Sequence, residues 1–407
     1  MSVPALRFNE FSGDWDENKL GDIADLTSSK RVYLSDYVSE GIPFYRGKEI
    51  SELKRNETPK DILYITTKAY NAFKASYGVP QVDDILITAV GTLGNVYRIK
   101  DDSEFYFKDG NLIWLRDIKI SSAFLEILFE TNNEAIQKSS IGSTQRALTI
   151  VELKKLKFSI PSLPEQTKIA NFLTAVDEKI SILNQKAKLL SQYKKGVMQQ
   201  IFSQELRFKD DDGQEFPEWE EKTLKDMLDI VIDNRGKTPP TENIGNPLLE
   251  VNSIGKKDIN FKVVGKFVSD TTYHSWFRKH IKNGDILFST VGATAQCSYF
   301  QDEQTNATIA QNIVGLRFKN IYNSLFMFYM LTEKKNNQKF KTIEMGAVQP
   351  SVKVSQMIHL FFSIPSLPEQ TKIANFLTAI DEKITTNQTQ LNALKQYKQG
   401  LLQQMFV

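Results

Sequence analysis

Residues 158–180 read FSIPSLPEQTKIANFLTAVDEKI, and residues 362–384 read FSIPSLPEQTKIANFLTAIDEKI. Only Val176 against Ile380 differs, at a separation of 204 positions, half the chain. The repeat extends further, but far more loosely. WDENKLGDIADL at 15–26 aligns with WEEKTLKDMLDI at 219–230, sharing Trp15/Trp219, Glu17/Glu221, Leu20/Leu224, Asp22/Asp226 and Asp25/Asp229. Asp84–Gly91 parallels Asp285–Gly292, and Gly142-Ser-Thr-Gln145 parallels Gly346-Ala-Val-Gln349. The chain is therefore variable half, fixed segment, variable half, fixed segment. A uniform duplication would leave all parts equally alike. The simplest reason for two frozen segments is one partner, present twice, docking on two equivalent surfaces.

The fixed segments read as long helices. Ser162-Leu-Pro-Glu165 and Ser366-Leu-Pro-Glu369 have the form of capping boxes, with proline early in the first turn. Apolar positions then recur at 4,3 spacing: Ile169, Leu173, Val176, Ile180, Leu183, Ala187, Leu190, Val197 and Ile201, and in the second copy Ile373, Leu377, Ile380, Ile384, Leu391, Leu394, Leu401 and Met405. Lys194 and Lys398 interrupt the seam, and Asn387 joins them in the second copy. Sustained heptads predict a coiled coil, and roughly 38 residues at 1.5 Å each give about 57 Å. The alternative is two separate amphipathic helices, each on its own half. With a globular half between them, an antiparallel pair related by a pseudo-two-fold axis is the natural arrangement. Gly196 and Gly400 lie in helix interiors at a cost of about 1 kcal/mol; close approach of another helix backbone is the expected compensation, and a local kink the alternative.

The variable halves read as mixed α/β. Asp84–Val90, Asn111–Leu115 and Asn312–Leu316 are short apolar runs typical of buried strands; Ala123–Thr131 and Leu325–Thr332 are apolar on a helical period. The expected divisions are a first domain at 1–158, a connector helix at 159–205, a second domain at 206–362 and a distal helix at 363–407.

Composition narrows the chemistry. Lys and Arg number 51 against 49 Asp and Glu, a net charge of +2. By segment this is −2 over 1–158, +3 over 159–204, 0 over 205–362 and +1 over 363–407. A nucleic-acid face must then be a local patch, or a partner must supply much of the affinity. A single cysteine, Cys297, excludes an internal disulfide framework and fits a reducing compartment. The first residues lack the pattern of a signal peptide, and no run approaches 18 apolar residues, so a cytoplasmic location without a membrane span is expected. The Asp/Asn/Ser-Pro-Pro-aromatic signature of an amino-methyltransferase is missing; the one Pro-Pro, at 239–240, sits in Lys-Thr-Pro-Pro-Thr. Arg235-Gly-Lys-Thr238 ends like a phosphate-binding loop, but Val231 stands where its first glycine belongs. His274, His280, His359 and one cysteine do not make a zinc site. The acidic run Asp210–Asp212 reads as solvated loop.

Two variable α/β halves, each followed by a helix opening IPSLPEQTKIANFL, closely resemble the specificity subunit of type I restriction–modification systems. The Pro-Ser-Leu-Pro-Glu-Gln-x-x-Ile-Ala starts at 161–170 and 365–374 carry the resemblance, and the repeat order spans essentially the whole chain. Arg235-Gly-Lys-Thr-Pro239 also looks like the opening of a family recognition domain, where the first half has Ser28-Ser-Lys-Arg-Val32. The resemblance implies that each half is a target recognition domain reading one part of a split, asymmetric double-stranded DNA sequence. It implies that the helices set the spacing and dock two modification subunits, adenine-N6 methyltransferases binding S-adenosylmethionine. Two motor–nuclease subunits, using ATP and Mg, complete a restriction enzyme where they are present. The chain itself would hold no cofactor, no metal and no catalytic residue. A DNA-free scaffold bridging two copies of one partner is the competing reading, and an enzyme acting alone a third.

Base reading calls for Arg or Lys, Asn or Gln, and Ser or Thr; phosphate positioning calls for Lys, Arg and Gly-rich turns. On that basis the candidates in the first half are Arg46, Lys48, Thr88, Thr92, Asn95, Ser143, Thr144, Gln145 and Arg146. In the second they are Arg235, Lys237, Thr238, Asn252, Ser253, Lys256, Lys257, Ser289, Thr290, Thr294, Gln349, Ser351 and Lys353. Identity between the copies nominates Glu165, Gln166, Lys168, Asn171 and Phe172, with Glu369, Gln370, Lys372, Asn375 and Phe376, for partner docking.

Overall fold

The computed structural model describes residues 3–142, 146–234, 236, 238–302 and 305–406. It divides into two compact units, residues 1–184 with 390–407 and residues 185–389. Each unit is a mixed α/β body that takes half of each long helix. The first long helix is Leu163–Phe202 and the second is Leu367–Met405.

The bodies repeat one plan. In unit 1 a four-stranded antiparallel sheet runs Asp25–Thr27, Leu112–Arg116, Ile85–Thr88, Val96–Arg98. In unit 2 the same order is Leu228–Ile232, Ile313–Phe318, Ile286–Ser289, Cys297–Tyr299. The central strands Ile85–Thr88 and Ile286–Ser289 are buried at every position, as their unbroken apolar runs predict. A second sheet, four-stranded in unit 1 and three-stranded in unit 2, contains one parallel pair in each, Ile42–Tyr45 with Tyr106–Phe107 and Asn246–Leu249 with Thr308–Ile309. The strand just before each long helix pairs back on the start of the domain: Asp16–Lys19 with Lys157–Ile160, and Glu220–Thr223 with Phe361–Ile364.

The helix halves pair antiparallel within each unit. In unit 1 Ile169, Leu173 and Val176 share a core with Leu401 and Met405, and Lys398 reaches Asp177 at 2.7 Å. In unit 2 Val197, Met198 and Ile201 share a core with Ile373, Leu377 and Ile380, and Lys194 reaches Asp381 at 2.5 Å. The seam lysines are thus ion-pair partners across the helices. Burial alone would lower the Lys398 pKa, but Asp177 and Glu130 outweigh it and raise the group. Asn387 is buried on the same seam.

Two local expectations fail. A Cβ at Gly196 or Gly400 would meet nothing within 4 Å, so neither glycine marks a close backbone approach. The capping boxes also do not form as read. Ser366 Oγ is buried without a hydrogen-bond partner, because the carboxylates that should close the boxes, Glu165 and Glu369, are turned to arginines (below).

Candidate nucleic-acid interface

In each unit a tight turn follows the central strand. The Thr88 hydroxyl donates to the Thr92 carbonyl and accepts from the Asn95 N–H. Ser289 does the same with the Ala293 carbonyl, at 2.6 Å, and the Gln296 N–H, at 2.9 Å. The backbone needs positive φ at Gly91 and Gly94, and in unit 2 at Gly292 and Ala295. Ala295 adopts φ 60° at about 1 kcal/mol over glycine. A side chain from the next helix holds the strained carbonyl: Asn133 Nδ2 donates to Gly94 at 3.0 Å, and Asn337 Nδ2 to Ala295 at 2.8 Å. The residues just after the later Gly-x-x-Gln motifs lie against these turns. Val90 bridges Ala147, and Val291 bridges Ser351; the Gly292 N–H donates to the Pro350 carbonyl, and the Val352 N–H to the Thr290 carbonyl. Two separate polar loops of the sequence therefore converge on one edge of each body.

Not all nominated residues face outward there. Thr88, Ser253, Ser289, Thr290 and Thr294 are buried, with their hydroxyls spent on the fold. Ser253 donates to Glu250, Thr290 to Asn312, and Thr294 to Glu344 while it accepts from Lys341. Thr88, Ser289, Thr290 and Thr294 shape the turns and Ser253 closes the short helix Val251–Ser253, so none of the five presents its hydroxyl outward. Asn95 donates to Ser51 inside unit 1. The Arg46 guanidinium is committed to the fully buried Glu49; burial pushes that carboxyl up, and the arginine's hydrogen bonds more than reverse it. Accessible positions remain at Lys48, Thr92 and Arg146 in unit 1, and at Thr238, Asn252, Lys256, Gln349 and Lys353 in unit 2, with Lys257 half-buried. Ser351 is half-buried. A groove in unit 1 gathers Arg46, Lys48, Arg55, Gly91 and Thr92, whereas Lys256 and Lys257 line a different groove, beside the first long helix. Ser143, Thr144, Gln145, Arg235 and Lys237 lie outside the described residues. Ser289→Ala should cost about 1–3 kcal/mol, because it strips partners from a buried carbonyl and N–H; a lowered denaturant midpoint at unchanged m-value checks this.

The nominated docking residues need a larger correction. Glu165, Gln166, Glu369 and Gln370 are buried. Arg7 clasps Glu165 at 2.7 and 2.8 Å, and Arg207 clasps Glu369 at 3.3 and 3.0 Å. Gln166 Oε1 accepts from the Ser121 N–H and Gln370 Oε1 from the Asn323 N–H, each at 2.9 Å. Phe172 packs edge-on against Phe8, and Phe376 against Phe208. Lys168 pairs with Glu10, and Lys372 with Asp211. Much of the frozen segment thus grips its own chain, leaving Asn171 and Asn375 exposed. The signal beyond these repeats is a further short one, Leu6-Arg7-Phe8 against Leu206-Arg207-Phe208. In unit 2 that arm follows the first long helix directly, with the Leu206 N–H on the Gln200 carbonyl; in unit 1 the same bond joins Leu6 to Gln404 of the second long helix.

A clear path now links helix to turn. Gln166 holds Ser121, the N-cap of the helix Ser122–Thr131, and Asn133 after that helix holds the turn. Gln370, Asn323, the helix Ser324–Thr332 and Asn337 repeat it. The family model for the type I restriction modification DNA specificity domain matches this chain twice, over residues 12–192 and 217–396. Each match takes in one body and most of the helix that follows it. The chain belongs to that family. The MjaVIII specificity subunit of Methanocaldococcus jannaschii is 23% identical over 414 residues, covering 96% of this chain and 91% of that protein. The MjaIX specificity subunit of the same organism is 23% identical over 406 residues, covering 96% and 92%. Among solved structures, the S subunit of a type I restriction–modification system from M. genitalium superposes with a TM-score of 0.62 at 16% identity, covering 100% of this chain and 99% of that one. These establish a specificity subunit, with catalysis residing in other subunits of the system. Among the described residues no helix is long and apolar enough to cross a membrane. Cys297 is buried, its thiol pushed up to about 12, and is no nucleophile.

Proposed function

We propose that each unit of this specificity subunit reads one half of an asymmetric, split DNA target through its turn and the loop beside it. The observation that carries this is the pairing itself: the same two loops meet on the same scaffold in both units, yet carry different side chains. Thr92 and Arg146 stand at that edge in one unit, and Gln349 and Lys353 in the other. Equal scaffolds with unequal surface chemistry suit a molecule that presents two readers to two unlike sequences. The long helices set the gap between the half-sites. Their exposed faces around Asn171 and Asn375 receive two adenine-N6 methyltransferase subunits, which bind S-adenosylmethionine; any motor–nuclease subunits bring ATP and Mg. Near-neutral charge in both bodies accords with a partner supplying part of the DNA affinity.

Replacing residues 1–158 with the matching region of a relative tests this. The methylated motif, mapped across a host genome, should change in one half and keep the other. A motif changed in both halves, or in neither while methylation persists, would refute modular reading. A folded complex that bridges methyltransferases without salt-sensitive DNA binding would favour the scaffold instead.

A further inference from the structure

In unit 2 a half-open groove of about 800 Å³ lies between the first long helix and the recognition body. Its floor is apolar, formed by Met198, Cys297 and Phe328, and its rim is cationic. Two carboxylates reach it, and both are spent. Asp381 accepts from Lys194 at 2.5 Å and from the Tyr329 hydroxyl at 2.7 Å, and Glu333 caps the Asn336 N–H at 2.9 Å. Lys195, Lys256, Lys257, Lys334 and Lys335 have no ion-pair partner among the described residues. Asp258 and Glu382 line an adjoining hollow that Lys256 and Lys257 share, without an ion pair to either lysine. Five lysines around one groove give it a locally positive potential that favours an anion.

Unit 1 places a carboxylate at the equivalent position and neutralises lysines there. Counting from the N-caps Ser121 and Asn323, Glu130 corresponds to Thr332. Glu130 binds Lys54 at 3.2 Å and Lys398 at 3.5 Å, whereas Thr332 lends no charge to unit 2. The groove is also continuous with the reading edge. The helix Lys334–Thr342 starts on the groove rim and ends at the turn, where Lys341 Nζ donates to Thr294 Oγ1 at 2.7 Å. Lys334, Gln338 and Lys341 fall on one helical face. They span about 10 Å at 1.5 Å per residue, or about three nucleotides at 3.4 Å per strand position.

We infer that this lysine groove clamps backbone phosphates of the same DNA duplex about three nucleotides from the bases read by unit 2, a grip that unit 1 lacks. The inference rests on the reading of unit 2 as a DNA reader. It recasts Lys256 and Lys257 as sequence-blind phosphate ligands, and it brings the connector helix, through Lys195, into contact with DNA.

The test uses the complex assembled with its methyltransferase subunits and a duplex carrying the motif mapped from genomic methylation. K195Q/K256Q/K257Q/K335Q should make the slope of log Kobs against log salt shallower by about 2–4, at about 0.9 per phosphate released. The methylated motif should stay the same, and the four matching Lys→Arg changes should restore the slope. Ethylation of phosphates near the second half-site should interfere with the wild type and lose that effect in the glutamine variant. Specific binding with an unchanged slope would remove this site alone. So would a groove that takes up ATP while the DNA slope stays constant. A wild-type complex without specific DNA binding would remove the proposed function as well.

Discussion

Arg207→Ala is expected to destabilise unit 2 by about 3 kcal/mol. Glu369 is fully buried at the start of the second long helix, and Arg207 is its counter-charge. With the arginine gone, the carboxylate keeps, among the described residues, the Trp219 Nε1–H at 3.2 Å. Removing one member of a buried pair leaves an uncompensated charge, which costs about 3–5 kcal/mol where both members are dry. The arginine side chain is 19% exposed, so the lower end applies. For a unit of this size the thermal midpoint should fall by about 6–12 °C. Arg207→Met combined with Glu369→Gln should recover most of the loss, since it removes both charges together. A single variant that melts within about 1 °C of wild type would show that the arm is not what holds the helix start. Arg7→Ala should act alike in unit 1, where Arg7 also bonds the carbonyls of Ser12 and Gly13.

That pair also shows what the sequence could and could not disclose. The heptads at 169–201 and 373–405 specified the helices and their seam, because 3.5-residue periodicity survives without knowledge of the partner. The apolar runs at 85–88 and 286–289 specified central strands for a similar reason. The site was legible as loops and illegible as side chains. Thr88 and Ser289 look like ideal polar contacts, yet each is turned inward to close its own loop, and a one-dimensional string carries no record of that direction. Glu165, Gln166, Glu369 and Gln370 misled more deeply. Exact repetition of polar residues reads as a surface in the sequence, whereas in the fold it marks a buried polar network whose every member must match. The Leu-Arg-Phe arm was visible at 6–8 and 206–208, but three residues meant little until Glu165 and Glu369 were found beneath them.

The helix seam yields the prediction with the largest effect on DNA choice. Asp177 and Lys194 lie 17 residues apart on the first long helix, and so do Asp381 and Lys398 on the second. Each aspartate meets the lysine of the other helix inside a single unit. The unit boundaries, 184/185 and 389/390, fall between the two pairs on both helices. Seven residues inserted at both boundaries would therefore leave each pair, each arm and each reading edge untouched, and would preserve the heptad phase. They add about 10 Å of helix, close to three base pairs of duplex at ~3.4 Å each. The double insertion should leave both methylated half-sites unaltered and widen the gap between them by about three base pairs. Methylation of the original target should then fall by about 100-fold or more, because only one half-site can be engaged at a time. Insertion in one helix alone should instead lower stability, since the helices no longer match in length between the two ion pairs. Genome-wide mapping of methylated adenines reads the outcome. If the double insertion kept the original gap in a folded, active complex, the long helices would not be what measures the distance between half-sites.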